Sequence, residues 1–523
     1  MTSTTVRRDG LLSLLDRRHT IAPQGYNRWL IPPAALCIHL CIGQAYATSV
    51  YKTSLVAHFD SSLTAIGIIF SIAIVMLGLS AAVFGTWVDR NGPRKAMFVA
   101  TLCWVTGFLV GALGISTGQL WLVYLGYGVI GGIGLGIGYI SPVSTLIKWF
   151  PDRPGLATGM AIMGFGGGAM VASPLSRQIL SFFDPAYDPG DAKSLASGHA
   201  LTMLFVSLAA IYLVVMMVGV SNVRVPAPGW RPKGFDPASV TTKALVSNED
   251  VSAANAIKTP QFWLLWVVLF CNVTAGIGIL EQAAPMVQDY FRGEDGVSSV
   301  AVRAAGGFVG LLSLFNMAGR FVWSTTSDRI GRKPIYMVYL GVGIVLYTLL
   351  ALMGQTSTAL FVLLAAIIIS FYGGGFATIP AYLRDLFGTF QVGAIHGRLL
   401  TAWSAAGVAG PLIINGFLDA RGTPGQLTAA DYRPALLTMV GLLAVGFVAN
   451  LLVRPVAARF HEPEGRRAQE AADAAAAQAA EDVEGAAARG GTARVVLSWG
   501  LAVALLSYGV IQTVMTAARL FTS

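Results

Sequence analysis

Charge is scarce in this chain. Asp, Glu, Lys and Arg make up 12% of its 523 residues, about half the roughly 25% of a soluble globular domain. That shortage excludes an ordinary soluble fold, and a mean hydropathy of +0.65 agrees. Cysteine is scarce too. Cys37, Cys41, Cys103 and Cys271 all fall in apolar runs without metal-site spacing, so inert packing thiols are expected, and redox compartment is left open. Neither glycine string, GGIGLGIG at 131–138 or GFGGG at 164–168, is followed by Gly-Lys-Ser/Thr. ATP hydrolysis is therefore not supported, and close helix contact is the expected use of those glycines. No metal or other cofactor is expected. Residues 1–28 lack an apolar core followed by a small-residue cleavage site, so no signal peptide is expected. The net charge of +9 forms no basic stripe, which argues against nucleic acid.

What the chain does have is long apolar runs. Thirteen are long enough to span about 30 Å of hydrocarbon: 29–51, 64–87, 95–116, 119–147, 155–181, 199–220, 261–287, 304–326, 335–354, 359–383, 394–417, 434–455 and 495–518. Each should be a helix, because an open strand cannot satisfy its backbone in lipid. The expected class is an all-α membrane protein. Its expected divisions are an N-terminal tail (1–28), a six-helix half (29–222), a linker with Pro226, Pro228, Pro232 and Pro237 (223–258), a second six-helix half (259–457), an Ala/Glu-rich linker (458–494) and one additional span (495–518). With the N-terminus inside, 26 of the 35 Lys and Arg residues lie on the cytoplasmic side. The positive-inside rule then puts the loops at 85–95 and 324–334 and the central linker in the cytoplasm and the C-terminus outside, in a cell inner membrane.

A short polar motif occurs twice. GTWVDRNGPRK at 85–95 supplies Asp89, Arg90, Gly92, Arg94 and Lys95, and STTSDRIGRKP at 324–334 supplies Asp328, Arg329, Gly331, Arg332 and Lys333. Each copy follows the second run of a group of six, and the two aspartates are 239 residues apart. The chain is thus internally duplicated, the architecture of a secondary transporter. In a tight loop, Asp89 and Asp328 can pair with nearby arginines and accept from a helix N-terminus across one face. The expected conformational set is Asp89, Arg90, Arg94, Asp328, Arg329 and Arg332. The second copy departs from the pattern: Ser324 stands where a Gly is usual, four residues before the Asp. Plain positive-inside anchors remain an alternative for these loops.

Two six-helix halves with this motif resemble the major facilitator superfamily over about residues 29–457. Three stretches are similar to the oxalate/formate antiporter family, itself related to monocarboxylate transporters: 138–169, with the WFPDRPGLATG segment at 149–159; 259–280, TPQFWLLWVVLFCNVTAGIGIL; and 372–388, YGGGFATIPAYLRDLFG. The final span resembles a small single-span companion protein found beside such transporters.

The chemistry centres on Arg320. It lies eight residues before Asp328, so about 12 Å inside the membrane along a helix. A guanidinium there is costly and stays charged. Its planar fork matches the two oxygens of a carboxylate, and the resemblance implies that same role; the alternative is a structural Arg that pairs with carbonyls or snorkels. The resemblance further places Tyr46, Tyr139, Phe165, Tyr372, Phe376 and Trp403 at pocket positions. Trp403 stands where the family's oxalate transporter has a Lys, which leaves one fixed positive charge and suits a monoanion such as formate, lactate or pyruvate. Lys52 is a candidate second cation near the outer interface. Glu281 is a candidate for a coupling proton or else an interfacial carboxylate. His39 reads as a hydrogen-bonded packing residue, and His396 falls at the cytoplasmic end of the eleventh run.

The implied activity is exchange of small carboxylates by alternating access, without enzymatic chemistry. The alternatives are a proton-coupled monocarboxylate symporter and a non-transporting carboxylate sensor. The partners implied are the anion and the bilayer. The final helix is expected to pack on the bundle's outer surface or meet a partner, and a chain cut after about residue 460 is expected to keep exchange.

Overall fold

The computed structural model describes residues 15–518 apart from 24–25, 189–193, 228–229, 236–248, 294–297, 299, 301, 423–426 and 463–491. Much of both expected linkers, and residues 1–14, lie outside the described residues.

Thirteen long helices follow one another. They are α1 (Ile31–Ile42, continued by a 3-10 stretch, Gly43–Val50), α2 (Leu63–Asn91), α3 (Pro93–Ser116), α4 (Leu120–Trp149), α5 (Pro154–Phe183) and α6 (Gly198–Asn222). The second half supplies α7 (Pro260–Tyr290), α8 (Val302–Ile330), α9 (Arg332–Met353), α10 (Thr358–Phe387), α11 (Val392–Asp419) and α12 (Ala429–Leu452), and α13 (Thr492–Ala517) ends the series. Among the described residues, twelve of them are long and apolar enough to cross a membrane. α8 carries a polar inner face, with Asn316, Arg320, Ser324 and Ser327 all buried.

Local sequence explains where the helices start. Ser62, Ser197, Thr259 and Ser357 each accept from a first-turn N–H. Thr428 and Asp431 form a capping box at α12. Pro93 and Pro154 occupy first helical positions, where no intrahelical N–H bond is lost.

The duplicated motif is more helical than its sequence suggests. Asp89 and Arg90 sit in the last turn of α2, and Arg94 and Lys95 in the first turn of α3. Only Gly92 separates the helices, at φ 85°, and Gly331 repeats this at φ 92°. That left-handed backbone strongly favours glycine, which is why the motif keeps one between its charges.

The halves meet along two seams, α2 against α11 and α5 against α8. Small residues set the distance. A Cβ on Gly85 would collide with the Ala394 backbone, and one on Gly155 with the Ser324 carbonyl. The glycine string of α4 presses Gly134 on α3 and Gly132 and Gly136 on α2, the packing role expected of small residues in membranes.

Candidate functional site

Seven of the residues singled out by sequence converge where the seams cross. Tyr46 comes from the 3-10 end of α1, Tyr139 from α4 and Phe165 from α5. Arg320 comes from α8, Tyr372 and Phe376 from α10, and Trp403 from α11. The close approach of α1 to α5, where a Cβ on Gly43 would strike the Phe165 carbonyl, sets Tyr46 edge-on to Phe165 at 5.3 Å. Tyr139 lies 5.5 Å from Phe165, 5.6 Å from Phe376 and 5.7 Å from Trp403, and Phe376 lies 4.6 Å from Trp403. The rings therefore form a continuous cage drawn from both halves.

Arg320 is the cage's charge. It is 0% exposed. Its Nε donates to Asn316 Oδ1 at 2.9 Å and its Nη1 to the Ile162 carbonyl of α5 at 3.4 Å. Its guanidinium lies 5.0 Å from the Phe376 ring centroid and 5.7 Å from that of Phe165. Nη2 has no hydrogen-bond partner among the described residues. Gly166 makes room for this side chain, since a Cβ there would sit 2.9 Å from Nε. The Tyr139 hydroxyl and Trp403 Nε1 are likewise buried without a partner among the described residues. The hydroxyls of Tyr46 and Tyr372 face each other closely but outside good hydrogen-bond geometry. A buried donor left unmatched costs about 1–3 kcal/mol, more when charged. Several such donors therefore gather around one guanidinium among the described residues.

Asn316, which holds Arg320 Nε, went unnoticed in the sequence; its place one turn before the Arg was the available signal. Two histidines flank the cage. His39 Nε2 lies 3.1 Å from the Tyr139 carbonyl, and Nδ1 faces the Ala161 carbonyl. His396 lies 5.8 Å from Tyr139 with the rings tilted, and its Nε2 is buried and unpartnered among the described residues. Glu281 is outside the cage: it is exposed and accepts from Asn415 of α11 at 3.4 Å. Lys52 opens a short helix, Lys52–His58, and is half-buried.

At one end of the bundle, here the motif end, the two aspartates bridge the halves. Asp89 of α2 accepts from Ala394 N, at the start of α11, at 3.0 Å, and Lys148 lies 3.6 Å away. Asp328 of α8 accepts from Gly155 N and Leu156 N, at the start of α5, both at 2.8 Å. Arg332 pairs with Asp328 at 2.7 Å and with Asp385 at 3.0 Å, and Arg384 joins Asp385 at 3.1 Å. The network around Asp385 was not assigned from sequence, because its partners lie on separate helices. Arg94 donates instead to the carbonyls of His19 and Val223, while Arg90 and Arg329 are exposed. Ser324 is tolerated in the second copy because Gly155 and Gly159 of the facing helix give it room.

Comparisons with known proteins agree with this architecture. The pattern of the Major Facilitator Superfamily matches residues 34–411. The chain is 25% identical to the oxalate:formate antiporter of Oxalobacter formigenes, over 82% of this chain and 93% of that protein. It is 27% identical to apicoplast pyruvate carrier 1 of Toxoplasma gondii, over 60% of this chain and 62% of that one. Human monocarboxylate transporter 11 is 26% identical over 31% of this chain and 34% of its own length. The Escherichia coli fucose:proton symporter shares the fold with a TM-score of 0.57 at 15% identity, covering 81% of this chain and 99% of that one. Duplicated halves, paired motifs and a cage between the halves thus meet in one conclusion: the chain belongs to the Major Facilitator Superfamily, and it is a multi-pass membrane transporter rather than an enzyme.

Proposed function

We propose that this transporter carries small carboxylates, with Arg320 as the group that binds the anion. The observation that carries the reading is a fully buried guanidinium with one unpartnered nitrogen inside an aromatic cage. A carboxylate supplies the missing acceptor in fork geometry. The rings exclude water, which strengthens that attraction, and the Tyr46, Tyr139 and Tyr372 hydroxyls and Trp403 Nε1 orient the second oxygen. With one fixed cation in the cage, a monoanion is the better match. The likeness to the oxalate:formate antiporter and the pyruvate carrier supports the substrate class.

The motif end is taken as cytoplasmic, in an inner membrane, since most Lys and Arg fall on that side. Asp89 and Asp328, with Arg332, then lock that face shut, and their bonds to helix N-termini of the opposite half break when the halves rock. Counterflow of labelled formate, lactate, pyruvate and oxalate into proteoliposomes tests the reading. Saturable exchange of at least one, lost in Arg320→Lys, is expected; no exchange of any carboxylate by folded protein would refute it.

Proton symport is the second reading, favoured by His39. Both of its ring nitrogens face backbone carbonyls, and only the imidazolium can donate to both. Uptake driven by an imposed pH gradient in wild type, and lost in His39→Gln, would select symport over exchange.

A further inference from the structure

The thirteenth helix lies outside the duplicated unit, yet it is docked on it. It packs against α1, α5 and α8, and so touches both halves. Near the motif end, Trp499 Nε1 donates to the Trp29 carbonyl at 2.8 Å, and Ala502 is buried against Leu36 and Leu40 of α1. Further along, Gly509 seats on Met170 and Val171 of α5, and Thr513, 7% exposed, seats on Gly310 of α8. The opposite face, with Leu497, Val503 and Ile511, stays exposed as a lipid-facing stripe.

Between these points the helix stands directly behind the cage. Gly166 of α5 faces Arg320 on the inside, while Gly167 faces Met317 of α8 and Leu506 of α13 on the outside. Neither glycine has a side chain, so the α5 wall is one backbone thick there. Leu506 and Met317 are the side chains that back it.

We propose that α13 is a working part of the transport unit: a lateral wall that bridges the α5–α8 seam, with Leu506 a positioning residue that holds α5, and through it Arg320, in place. The occupant of the α1/α5/α8 groove is this chain's own 492–517 segment. The proposal rests on Arg320 being the anion-binding group. It departs from the expectation that a chain cut after about residue 460 keeps exchange, because this helix has a buried face and touches both halves.

Two measurements test it in the full-length protein. The first is oxidative crosslinking of Val171→Cys with Gly509→Cys, and separately of Gly310→Cys with Thr513→Cys. Both pairs are expected to link within one chain. Failure of the Gly310–Thr513 pair would show that the helix does not bridge the halves, and links only between chains would give the groove to a second copy; either overturns the proposal. The second is the half-saturation concentration for whichever carboxylate the wild type exchanges. Leu506→Ala should raise it about tenfold with little change in maximal rate, and Leu506→Met should restore it, since a small shift of a supporting shell loosens a bound ion. An unchanged half-saturation in Leu506→Ala would overturn the positioning role. If the wild type exchanges no carboxylate, the substrate reading fails, while the crosslinks still decide whether α13 bridges the seam.

Discussion

The two seams between the halves descend from one repeated design, but they are not equal. On the α2–α11 seam, among the described residues, Asp89 receives one backbone N–H, and Lys148 stands at a looser 3.6 Å. On the α5–α8 seam, Asp328 receives two N–H groups and a 2.7 Å guanidinium that is itself tied to Asp385. This second seam also carries Arg320, Asn316 and the groove for α13. Duplication therefore repeated the cross-half aspartate, while Arg320 and the contact with the extra helix lie on one copy. The α5–α8 seam is the one expected to govern the transport cycle.

The sharpest way to break this asymmetry is at Arg320. Arg320→Lys should lower counterflow by about a hundredfold or more at matched insertion, because an ammonium cannot make the two-pronged contact and a disrupted buried charge site costs several kcal/mol. Near-normal exchange would leave the seams equivalent. Next come the locks. Asp328→Asn should raise labelling of a motif-end cysteine, such as Ser144→Cys, by about tenfold, since it loses an ion pair and weakens two charge-assisted bonds. Asp89→Asn, which weakens one bond and a loose pairing, should raise it only about threefold. Equal labelling in both mutants would erase the difference between the seams, and no change in either would reduce the motifs to topology anchors.

A different effect, on selectivity, is expected at Trp403, on the other seam. Its ring fills the space between Phe376 and Phe165, at 4.6 and 5.4 Å. Trp403→Lys adds a cation near Arg320 but removes that packing, so preference should shift toward oxalate over formate by about fivefold while total exchange falls. Competition between the two labelled anions measures the shift. If wild type already prefers oxalate, the one-cation argument fails.

Much of this was legible in the sequence because it depends on local or repeated pattern. Apolar runs, proline and serine starts, and the glycine between the charges of each motif are features of short stretches. Arg320 stood out because a lone charge in a span is costly wherever it points. Asn316 and Asp385 were missed for the opposite reason: their importance comes from what faces them, and an Asn or Asp beside a helix end has many ordinary uses. Ser324 looked like a defect in the second motif until Gly155 and Gly159 were found to make room for it.

By itself, then, the sequence determined that the chain spans a membrane repeatedly, that it is two related halves plus one more helix, and where its buried charge lies. Those properties follow from the cost of placing charge and unpaired backbone in hydrocarbon, which each segment feels on its own. Only the tertiary structure decided that Arg320 keeps one nitrogen without a partner among the described residues, that Asp328 meets both the start of α5 and Arg332, and that α13 packs on the seam behind the cage. Each of those depends on the distance between helices far apart in the chain, and that distance is set by glycines whose effect is felt only when a second backbone arrives against them.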